Sequence, residues 1–515
     1  MSTFNASVYL LDRRLDAGDG DRLALTGVLG DLTYAQLHDR VRRAAGGLRR
    51  AGVQPEHRVV MVMADSPDFV TTFLAALRIG AVPVPVSTMM RPDGLAALLR
   101  DSRARYLAFT ADFADIAVAA AAKSPELAAV FGPSDDLTAG DPDDDVYPTT
   151  EDSPAFWLYT SGTTGTPKGA MHRHGSIRVV CETYGQQVLG IRPEDRCLSA
   201  AKAFFAYGLG NSLLFPLSVG AAAILEPAPS KPDSLAERAR DYAATLFFGG
   251  PTFFAAMLRA DLPADALPHV RLAASAGEAL PAALYERWTA HFGVDVIDGL
   301  GMTEMLHIFL SNQPGSVRAG TTGVAVPGYD LRILDDQGQP VPTGVPGTLF
   351  VRGESAATGY WSRYAASRQV FQGEWLRTGD TYLCDADGYY TCLGRLDDVL
   401  KVSGMWVAPS EVENRLIEHE SVAQAVVVAA PDNEGLDKPV AFIMLRPGHT
   451  GDEAALVEFC RAGIESYKRP RKVVFVDAFP TTATGKVRRV ELRAMAATML
   501  LDPATPAGGQ VPVAS

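Results

Sequence analysis

Apolar positions in the first hundred residues alternate between the spacing of a β-strand and the spacing of a helix. Residues 57–65 (HRVVMVMAD) are rich in strand-forming side chains, 69–80 (FVTTFLAALRIG) have helical spacing, and 81–87 (AVPVPVS) return to a strand pattern. Such alternation predicts βα units on a largely parallel sheet.

The same alternation recurs between about residues 180 and 330. Strand-like segments at 220–226 and 245–250 are each followed by an amphipathic helical segment. From about residue 320 the pattern changes to short strands separated by turns such as Asp-Gln-Gly and Pro-Thr-Gly. These turn residues predict a small β-rich module.

The chain after Arg395 has a compact pattern of its own. It alternates helical and strand segments at 409–419, 424–432, 438–446, 453–464 and 472–476. This order predicts a separate, lid-sized α+β domain.

The fold class that follows is α/β. We predict a large N-terminal domain (residues 1–395) made of two doubly wound βα subdomains plus the β-rich module. A small α+β C-terminal domain (398–500) follows, and a Pro-, Ala- and Gly-rich disordered tail (501–515) ends the chain.

Composition narrows the possible partners. A net charge of −13 argues against a nucleic-acid partner, because phosphate backbones need clustered Lys and Arg, so a small molecule is expected. Five scattered cysteines without a CxxC pair suggest neither a disulfide framework nor a zinc site, and they predict a reducing, cytoplasmic location. The sequence has no signal peptide and no run of about 18 apolar residues, so no membrane association is expected.

The segment YTSGTTGTPKG (159–169) is the first candidate for chemistry. It fails the Walker A pattern, because Pro167 and Gly169 stand where Gly and Ser or Thr are needed. Its backbone N–H groups, hydroxyls and lysine still suit polyphosphate oxygens. A flexible surface loop remains the alternative interpretation. The candidate groups are Thr160, Ser161, Gly162, Thr163, Thr164, Gly165 and Lys168.

Five further motifs favour the phosphate-binding interpretation of that loop. They occur in order as SAGEALP (275–281), DGLGMTE (298–304), WLRTGD (375–380), GRLDDVLKVSG (394–404) and TATGKVRR (482–489). Together with the loop they resemble the adenylate-forming superfamily of acyl-CoA synthetases, peptide-synthetase adenylation domains and luciferases. The resemblance extends over nearly the whole chain apart from the tail.

The resemblance implies roles in the attack of a carboxylate on the α-phosphate of ATP. Thr303 would contact the α-phosphate, Glu304 would hold Mg²⁺, and Lys486 would bridge the carboxylate and the α-phosphate. Asp380 and Arg395 would hold the ribose hydroxyls. Without the resemblance, Lys486 would be interpreted as one surface lysine among several basic neighbours, and Asp380 as a turn residue after Gly379.

The resemblance also implies the residues of the adenine site, the phosphate clamp, the hinge and the thiol channel. Lys168 and its loop would clamp the departing pyrophosphate, and Asp397 would be the hinge about which a mobile C-terminal domain rotates between two half-reactions. After rotation, Lys401, Ser403 and Gly404 would line a channel for a pantetheine thiol. The walls of the adenine site would be Gly277, Glu278, Asp298, Gly299, Leu300 and Gly301.

Two segments resemble the benzoate–CoA ligase branch specifically, at 201–221 and 301–323. A flat aromatic acid needs a narrow apolar slot with few polar groups. No acidic residue stands in the FFAYG segment to receive an α-amino group, which disfavours amino-acid substrates. His307 is placed beside the carboxylate, with a satisfied core histidine as the alternative. The positions expected around the acid are Ala206, Tyr207, Gly208, Ala276, Gly301, His307 and Ile308.

The expected function is ATP-dependent activation of an aromatic acid, followed by transfer to CoA. Lys468, Arg469, Arg471 and Lys472 offer cations for the CoA phosphates. Benzoate, hydroxy- or aminobenzoate, a heteroaromatic acid or a cyclic non-aromatic acid all remain open, because Met302 departs from the usual GSTE motif. An enzyme that loads a carrier protein is the main alternative, and a ligand-binding protein without catalysis is a weaker one. A homodimer is compatible with the resemblance.

Overall fold

The computed structural model describes residues 2–133, 136–161, 167–395, 400–402, 405–407, 409–431, 437–464, 468–481 and 487–501. Helices begin where the sequence supplies caps: the Thr33 hydroxyl accepts from the Gln36 N–H, and the Ser66 hydroxyl accepts from the Phe69 N–H. The α-helices are α1 Arg13–Asp16, α2 Tyr34–Arg50, α3 Pro67–Arg78, α4 Pro92–Ser102, α5 Ala114–Ala121, α6 His174–Val180, α7 Ala206–Leu209, α8 Phe215–Val219, α9 Pro232–Asp241, α10 Pro251–Arg259, α11 Ala282–Phe292, α12 Tyr364–Val370, α13 Pro409–Ile417, α14 Glu453–Gly463 and α15 Arg489–Leu501.

The strands are short, and most lie in sheets with buried faces. They are β1 Leu23–Gly27, β2 Leu32–Thr33, β3 Arg58–Val62, β4 Val82–Pro85, β5 Tyr106–Phe109, β6 Ala129–Phe131, β7 Pro154–Ser161, β8 Pro167–Arg173, β9 Arg196–Ser199, β10 Ala222–Leu225, β11 Leu246–Gly249, β12 Leu272–Ala276, β13 Val296–Gly301, β14 Ile308–Ser311, β15 Val324–Ala325, β16 Asp330–Leu334, β17 Gly347–Arg352, β18 Phe371–Gln372, β19 Trp375–Cys384, β20 Tyr390–Arg395, β21 Leu400–Val402, β22 Met405–Val407, β23 Val422–Pro431, β24 Asp437–Leu445 and β25 Lys472–Phe475.

The larger parallel sheet has the strand order β15-β14-β13-β12-β11-β9-β10-β1-β2. Its strands from β13 to β1 run parallel, and β14, β15 and β2 are antiparallel at its edges. Register pairs Ser275 with Asp298 and Ala276 with Gly299. The SAG and DGLG motifs therefore lie side by side at the carboxyl ends of β12 and β13, where open α/β sheets bind their ligands.

A second, four-stranded sheet of order β4-β3-β5-β6 is parallel throughout. Met61 on β3 and Phe248 on β11 belong to one buried cluster, so the two sheets share a core. The alternate residue Val60 faces a separate buried cluster on the other side of its sheet. Burial on both faces explains the continuous apolar run of β3.

Besides the two-stranded pairs β7–β8 and β21–β22, two smaller sheets complete the described chain. In the first, β16, β17, β19 and β18 are neighbours and β20 pairs with β19, which places Asp380 opposite Arg395. In the second, β23, β24 and β25 carry α13 and α14 against one face, and α15 packs on β23. No helix in the described part of the chain is both long and apolar enough to cross a membrane.

The predicted α/β class and the predicted order of strands and helices are confirmed. The segments 57–65 and 69–80 contain β3 and α3, and the pattern after residue 409 matches α13 through β25. The prediction did not specify every element; α2, β8 and α15 are among those it left out, and α15 extends to Leu501, the first residue of the predicted tail. The hinge residue Asp397 and residues 502–515 lie outside the described residues, so the boundaries 1–395 and 398–500 stay predictions.

A buried ion pair fastens the N-terminal segment to α3. Arg78 is 3% exposed and donates to both carboxylate oxygens of Asp12, at 2.8 and 2.9 Å. Burial alone would raise the pKa of Asp12, but hydrogen bonds from His38 and Arg78 hold it below its usual range. The pair Arg40–Asp68 has comparable chemistry at the surface, with side chains 36% and 64% exposed.

Replacing Arg78 with Ala leaves the Asp12 carboxylate largely buried without its main cation. We expect a loss of about 3–5 kcal/mol of unfolding free energy. The matched change Arg40→Ala should cost less than about 1 kcal/mol, because its pair is exposed. Urea unfolding followed by tryptophan fluorescence measures both variants, and equal losses would contradict the assignment of Arg78 as a structural anchor.

Candidate active site

The Gly- and Thr-rich loop joins two antiparallel strands, β7 and β8. Thr160 pairs with Lys168 and Ser161 pairs with Pro167, so Lys168 stands at the loop end of the hairpin. The Lys168 ammonium lies 5.4 Å from the centroid of the Tyr360 ring, within the range of a cation–π contact. Residues 162–166, which include the predicted Gly162, Thr163, Thr164 and Gly165, lie outside the described residues.

Thr303 and Glu304 occupy a short 3₁₀ turn, Thr303–Met305. His172 Nε2 donates to the Thr303 carbonyl at 2.8 Å, and the Tyr360 hydroxyl donates to Glu304 Oε1. Glu304 is 7% exposed. Lys168 and Glu304, predicted separately from motifs more than a hundred residues apart, therefore both contact Tyr360.

A magnesium role for Glu304 is compatible with its surroundings. No group of three or more His, Cys, Asp or Glu within the described ranges could hold a metal ion unaided. Mg²⁺ in nucleotide enzymes is usually held by one or two carboxylates together with phosphate oxygens and water. A single buried carboxylate near the end of the β7–β8 hairpin, where phosphate binding is predicted, is compatible with that pattern.

The predicted adenine wall lies at the ends of β12 and β13. Gly277 has φ +99°, a backbone conformation that residues other than Gly rarely adopt. The Glu278 carboxylate accepts a hydrogen bond from the Thr252 hydroxyl at 3.2 Å. Burial raises the pKa of Asp298 to about 7. Its Oδ1 is buried with no hydrogen-bond partner among the described residues. An unsatisfied carboxyl oxygen is suited to accept from an amino group of a ligand.

The predicted ribose pair is brought together by the register of β19 and β20. Asp380 and Arg395 are directly opposite residues of these antiparallel strands, and the Asp380 N–H donates to the Thr378 hydroxyl at 3.1 Å. The side chain of Arg395 lies outside the described part of the structure. Opposite residues on antiparallel strands have neighbouring Cβ atoms, which suits a shared diol ligand.

Tyr207 and His307 meet, as the predicted acid site requires. Their ring centroids lie 5.4 Å apart, and His307 Nε2 lies 3.3 Å from the Tyr207 carbonyl. The Tyr207 hydroxyl donates to the carbonyl of Ala274, two residues before Ala276 at the end of β12. Ala206 and Gly208 lie in α7, and Ile308 of β14 pairs with Gly301 of β13. All the predicted acid-binding positions therefore belong to adjoining elements.

His307 is neutral at physiological pH, because burial lowers its pKa to about 3. Its ring lies among Tyr184, Tyr207 and Phe215, with centroids 4.5 to 5.4 Å away. A backbone carbonyl only accepts, so Nε2 carries the ring proton and Nδ1 is the acceptor nitrogen. Nδ1 has no partner among the described residues.

Glycines allow this close packing. A Cβ on Gly210 would lie 2.4 Å from His307 Cδ2, and a Cβ on Gly208 would lie 2.1 Å from the Lys202 carbonyl oxygen. A Cβ on Gly301 would lie 2.7 Å from the His307 carbonyl oxygen. The segment 201–221, called the acid segment from here on, and the turn before β14 that contains His307 therefore approach each other closely through their backbones.

The buried carboxylate of Asp65, which follows β3 of the smaller parallel sheet, anchors the acid segment. Asp65, 4% exposed, accepts from the Ala203 N–H at 3.0 and 3.3 Å, and burial raises its pKa to about 6. One residue earlier in the chain, the Lys202 ammonium donates to the carbonyls of Glu226 and Ala228, each at 2.6 Å. Both anchors lie just before Ala206 and Tyr207.

Four polar residues of the site were missed by the sequence reasoning: Tyr360, His172, Asp65 and Asn211. Asn211 is fully buried, and neither of its amide atoms has a partner within the described residues. Asn211 lies within the segment 201–221 and His172 lies three residues after the loop motif, so both were visible in the sequence as polar residues. Asp65 and Tyr360 act across the fold, and only the structure shows their partners.

Some predicted residues are not brought to the site by the described structure. Ser403, Gly404, Asp397 and Lys486 lie outside the described residues. Lys401 is in β21, which pairs with β22 and lies beside β24, and its side chain is not described. Lys468, considered for CoA phosphates, forms an ion pair with Glu411 at 2.5 Å.

Comparison with known proteins agrees with the geometry. Residues 12–361 match the AMP-binding enzyme family, and residues 411–486 match the AMP-binding enzyme C-terminal domain. The chain is 43% identical over 505 residues to the benzoate–CoA ligase of Thauera aromatica, a match that covers 95% of this chain and 96% of that protein.

Two further similarities have the same extent. The chain is 42% identical over 511 residues to a 4-hydroxybenzoate–CoA/benzoate–CoA ligase of Rhodopseudomonas palustris, covering 96% of this chain and 94% of that protein. It superposes with a TM-score of 0.92 and 37% identity on the crystal structure of the anthranilate–CoA ligase AuaEII in complex with anthranoyl-AMP, covering 96% of this chain and 98% of the other. The protein therefore belongs to the AMP-binding, adenylate-forming enzyme family, in its benzoate–CoA ligase-like branch.

Proposed function

We propose that the protein is an AMP-forming aryl–CoA ligase acting on benzoate or a closely related aromatic acid. In the first half-reaction a carboxylate oxygen attacks the α-phosphorus of ATP, an O–P bond forms, and the bond to the β-phosphate breaks to release pyrophosphate. In the second, the deprotonated thiol sulfur of CoA attacks the acyl carbon, a C–S bond forms, and AMP leaves. The observation that carries the proposal is the joining of Lys168 and Glu304 through Tyr360, next to the pairing of Tyr207 with His307.

ATP would lie across the ends of β12 and β13. Thr160, Ser161, Gly162, Thr163, Thr164 and Gly165 would offer donors to the β- and γ-phosphates, and Lys168 would neutralise the departing pyrophosphate. Thr303 would donate to the α-phosphate. Glu304 would hold Mg²⁺, which stabilises the negative charge that develops on the phosphate oxygens.

The nucleoside half would use the adjoining strands. Gly277, Glu278, Gly299, Leu300 and Gly301 would line a flat adenine site, and the buried Asp298 carboxyl would accept from the adenine amino group. Asp380 and Arg395 would share the two ribose hydroxyls, as acceptor and donor.

The aromatic acid would lie between α7 and the His307 turn, with Ala206, Gly208, Ala276 and Ile308 around its ring. The bond from His307 Nε2 to the Tyr207 carbonyl is long for an N–H···O hydrogen bond, at 3.3 Å. A carboxylate oxygen is a stronger acceptor and would take this proton donor from the carbonyl at little cost. The substrates of the two relatives, benzoate and 4-hydroxybenzoate, fit such a slot.

The C-terminal domain would supply two sets of groups in turn. Lys486 would serve adenylation, and after rotation about Asp397 the segment containing Lys401, Ser403 and Gly404 would face the thiol. We further propose a cytoplasmic enzyme, since all five cysteines are free. A homodimer is compatible with this proposal.

A panel of aryl acids tests the function and its alternative. With ATP, Mg²⁺ and CoA, we expect AMP and aryl-CoA to form in equal amounts, measured by liquid chromatography. Benzoate and monosubstituted benzoates should react far faster than acetate, fatty acids or phenylalanine. AMP and adenylate without any CoA thioester would instead indicate loading of a carrier protein.

Lys486→Ala should abolish adenylation, because the positive charge between carboxylate and α-phosphate is lost. We expect a decrease of about 10²–10³ in rate, the size seen when one charge-stabilising group is removed. Thioester formation from a supplied aryl-adenylate should remain near the rate of the unmodified enzyme. The matched control is Lys123→Ala, a half-exposed lysine paired with Asp93. Intact ATP–pyrophosphate exchange in Lys486→Ala would refute its assignment.

Gly210→Ala should displace the His307 ring, because the new Cβ would lie 2.4 Å from its Cδ2. We expect the KM for the acid to rise roughly tenfold or more, a change of about 1.4 kcal/mol, while the KM for ATP stays within about twofold. Gly94→Ala is the control, since its Cβ would meet nothing nearer than Met90 Cε at 3.6 Å. Equal acid KM values in the two variants would exclude His307 from acid binding.

A further inference from the structure

A short segment between β17 and α12, residues 357–361, connects the phosphate hairpin to the Glu304 turn. Its backbone pairs with β8: the Thr358 N–H donates to the Met171 carbonyl at 2.9 Å, and the Trp361 N–H donates to the Gly169 carbonyl at 2.9 Å. At its other end, the Ala357 N–H donates to the Glu304 carbonyl at 2.8 Å. The segment is therefore bonded to both halves of the candidate polyphosphate site.

Tyr360 makes the corresponding side-chain connection. Its hydroxyl donates to Glu304 Oε1, and its ring lies under the Lys168 ammonium at 5.4 Å. The ring is 6% exposed and packs edge-on against Phe371, with centroids 5.4 Å apart. The Tyr360 N–H also donates to the Ser367 hydroxyl at 3.0 Å. A buried ring held from several directions has little freedom to follow its partners.

Strand β7 of the hairpin is also fixed near its loop end, at Tyr159. Asp101 accepts from the Tyr159 hydroxyl at 2.7 Å and from Arg363 at 2.5 Å. The Trp361 indole N–H donates to the Asp101 carbonyl at 2.9 Å. Trp361 and Arg363, one and three residues after Tyr360, are therefore linked to Tyr159 of β7 through Asp101.

We propose that Tyr360 is a positioning residue that sets the spacing between the phosphate cation Lys168 and the metal carboxylate Glu304. Its hydroxyl holds the carboxylate, and its ring faces the ammonium. The inference rests on the proposed function, in which Lys168 and Glu304 act on the polyphosphate and on Mg²⁺. Tyr360 itself touches neither group's ligand; it acts through both residues.

The two contacts can be separated by substitution. Tyr360→Phe keeps the ring beneath Lys168 and removes the hydrogen bond to Glu304. Tyr360→Leu removes both. Tyr364→Phe removes a hydroxyl from a tyrosine that is 78% exposed four residues later in the chain, and it serves as the matched control.

The main readout is binding, so it does not depend on turnover. Isothermal titration calorimetry with a non-hydrolysable ATP analogue, repeated over a series of Mg²⁺ concentrations, gives the Mg²⁺ concentration for half-maximal analogue affinity. For Tyr360→Phe we expect this concentration to rise about 10–100-fold, the usual effect of removing a group that orients a metal ligand. Analogue binding without Mg²⁺ should be unchanged in Tyr360→Phe and weaker in Tyr360→Leu. Tyr364→Phe should behave as the unmodified protein.

A double-mutant cycle with Glu304→Gln separates this inference from the proposed function. If Tyr360 acts through Glu304, the effects of the two changes on the Mg²⁺ requirement are strongly non-additive. A normal Mg²⁺ requirement in Tyr360→Phe, or additive effects, would overturn the inference even with the aryl–CoA ligase assignment intact. If Glu304→Gln alone leaves the Mg²⁺ requirement unchanged, the metal role of Glu304 is wrong, and the inference fails with it. Circular dichroism checks folding, and if Tyr360→Phe does not fold, Ser367→Ala tests the same ring through its backbone bond, with a raised Mg²⁺ requirement expected.

Discussion

The site depends first on the pairing of β8 with the segment 357–361. Hairpin β7–β8 forms a small sheet of its own beside β4, so the direction of its loop end is fixed by this pairing and by the bond from His172 to the Thr303 carbonyl. Backbone hydrogen bonds define a position more narrowly than apolar packing, because they require both distance and direction. The hairpin therefore holds the Lys168 ammonium at a defined position relative to Glu304.

Burial determines the protonation states of the two histidines near the hairpin and the acid segment. His307 and His172 have pKa values lowered to about 3 and 4, so both imidazoles are neutral and each offers one N–H donor. A cationic His307 would bind the substrate carboxylate strongly before reaction, and that attraction would weaken as the carboxylate loses charge in its attack. Interactions that favour the ground state do not accelerate the step. With a neutral donor at His307, the proposed function assigns the charge stabilisation to lysines instead.

The sequence predicted those parts of the molecule whose signal is local. The apolar run of β3 and the helical spacing of α3 report burial directly, and the adenylation motifs name residues such as Glu304 and Asp380 through resemblance. Strand β8 was missed because its sequence, PKGAMHR, has no strand-like alternation and is extended by pairing with β7. In α15 the signal was present, since Ala, Leu and Met favour helices. Tyr360 could not be predicted, because its partner Glu304 is 56 residues away and only the fold brings them together.

The segment proposed to bind the acid is likewise held by a contact between residues that are distant in sequence. The acid segment connects β9 and β10 of the larger parallel sheet, but the buried carboxylate that fixes its Ala203 N–H comes from Asp65, three residues after β3 of the smaller sheet. The two sheets share one core, so a change in their packing moves Asp65 and the segment after Lys202 relative to each other. Because Gly208 and Gly210 leave no spare space beside Lys202 and His307, such a shift of a few tenths of an ångström alters the slot itself. If the acid binds there as proposed, residues that never touch it would therefore contribute to which acid is accepted.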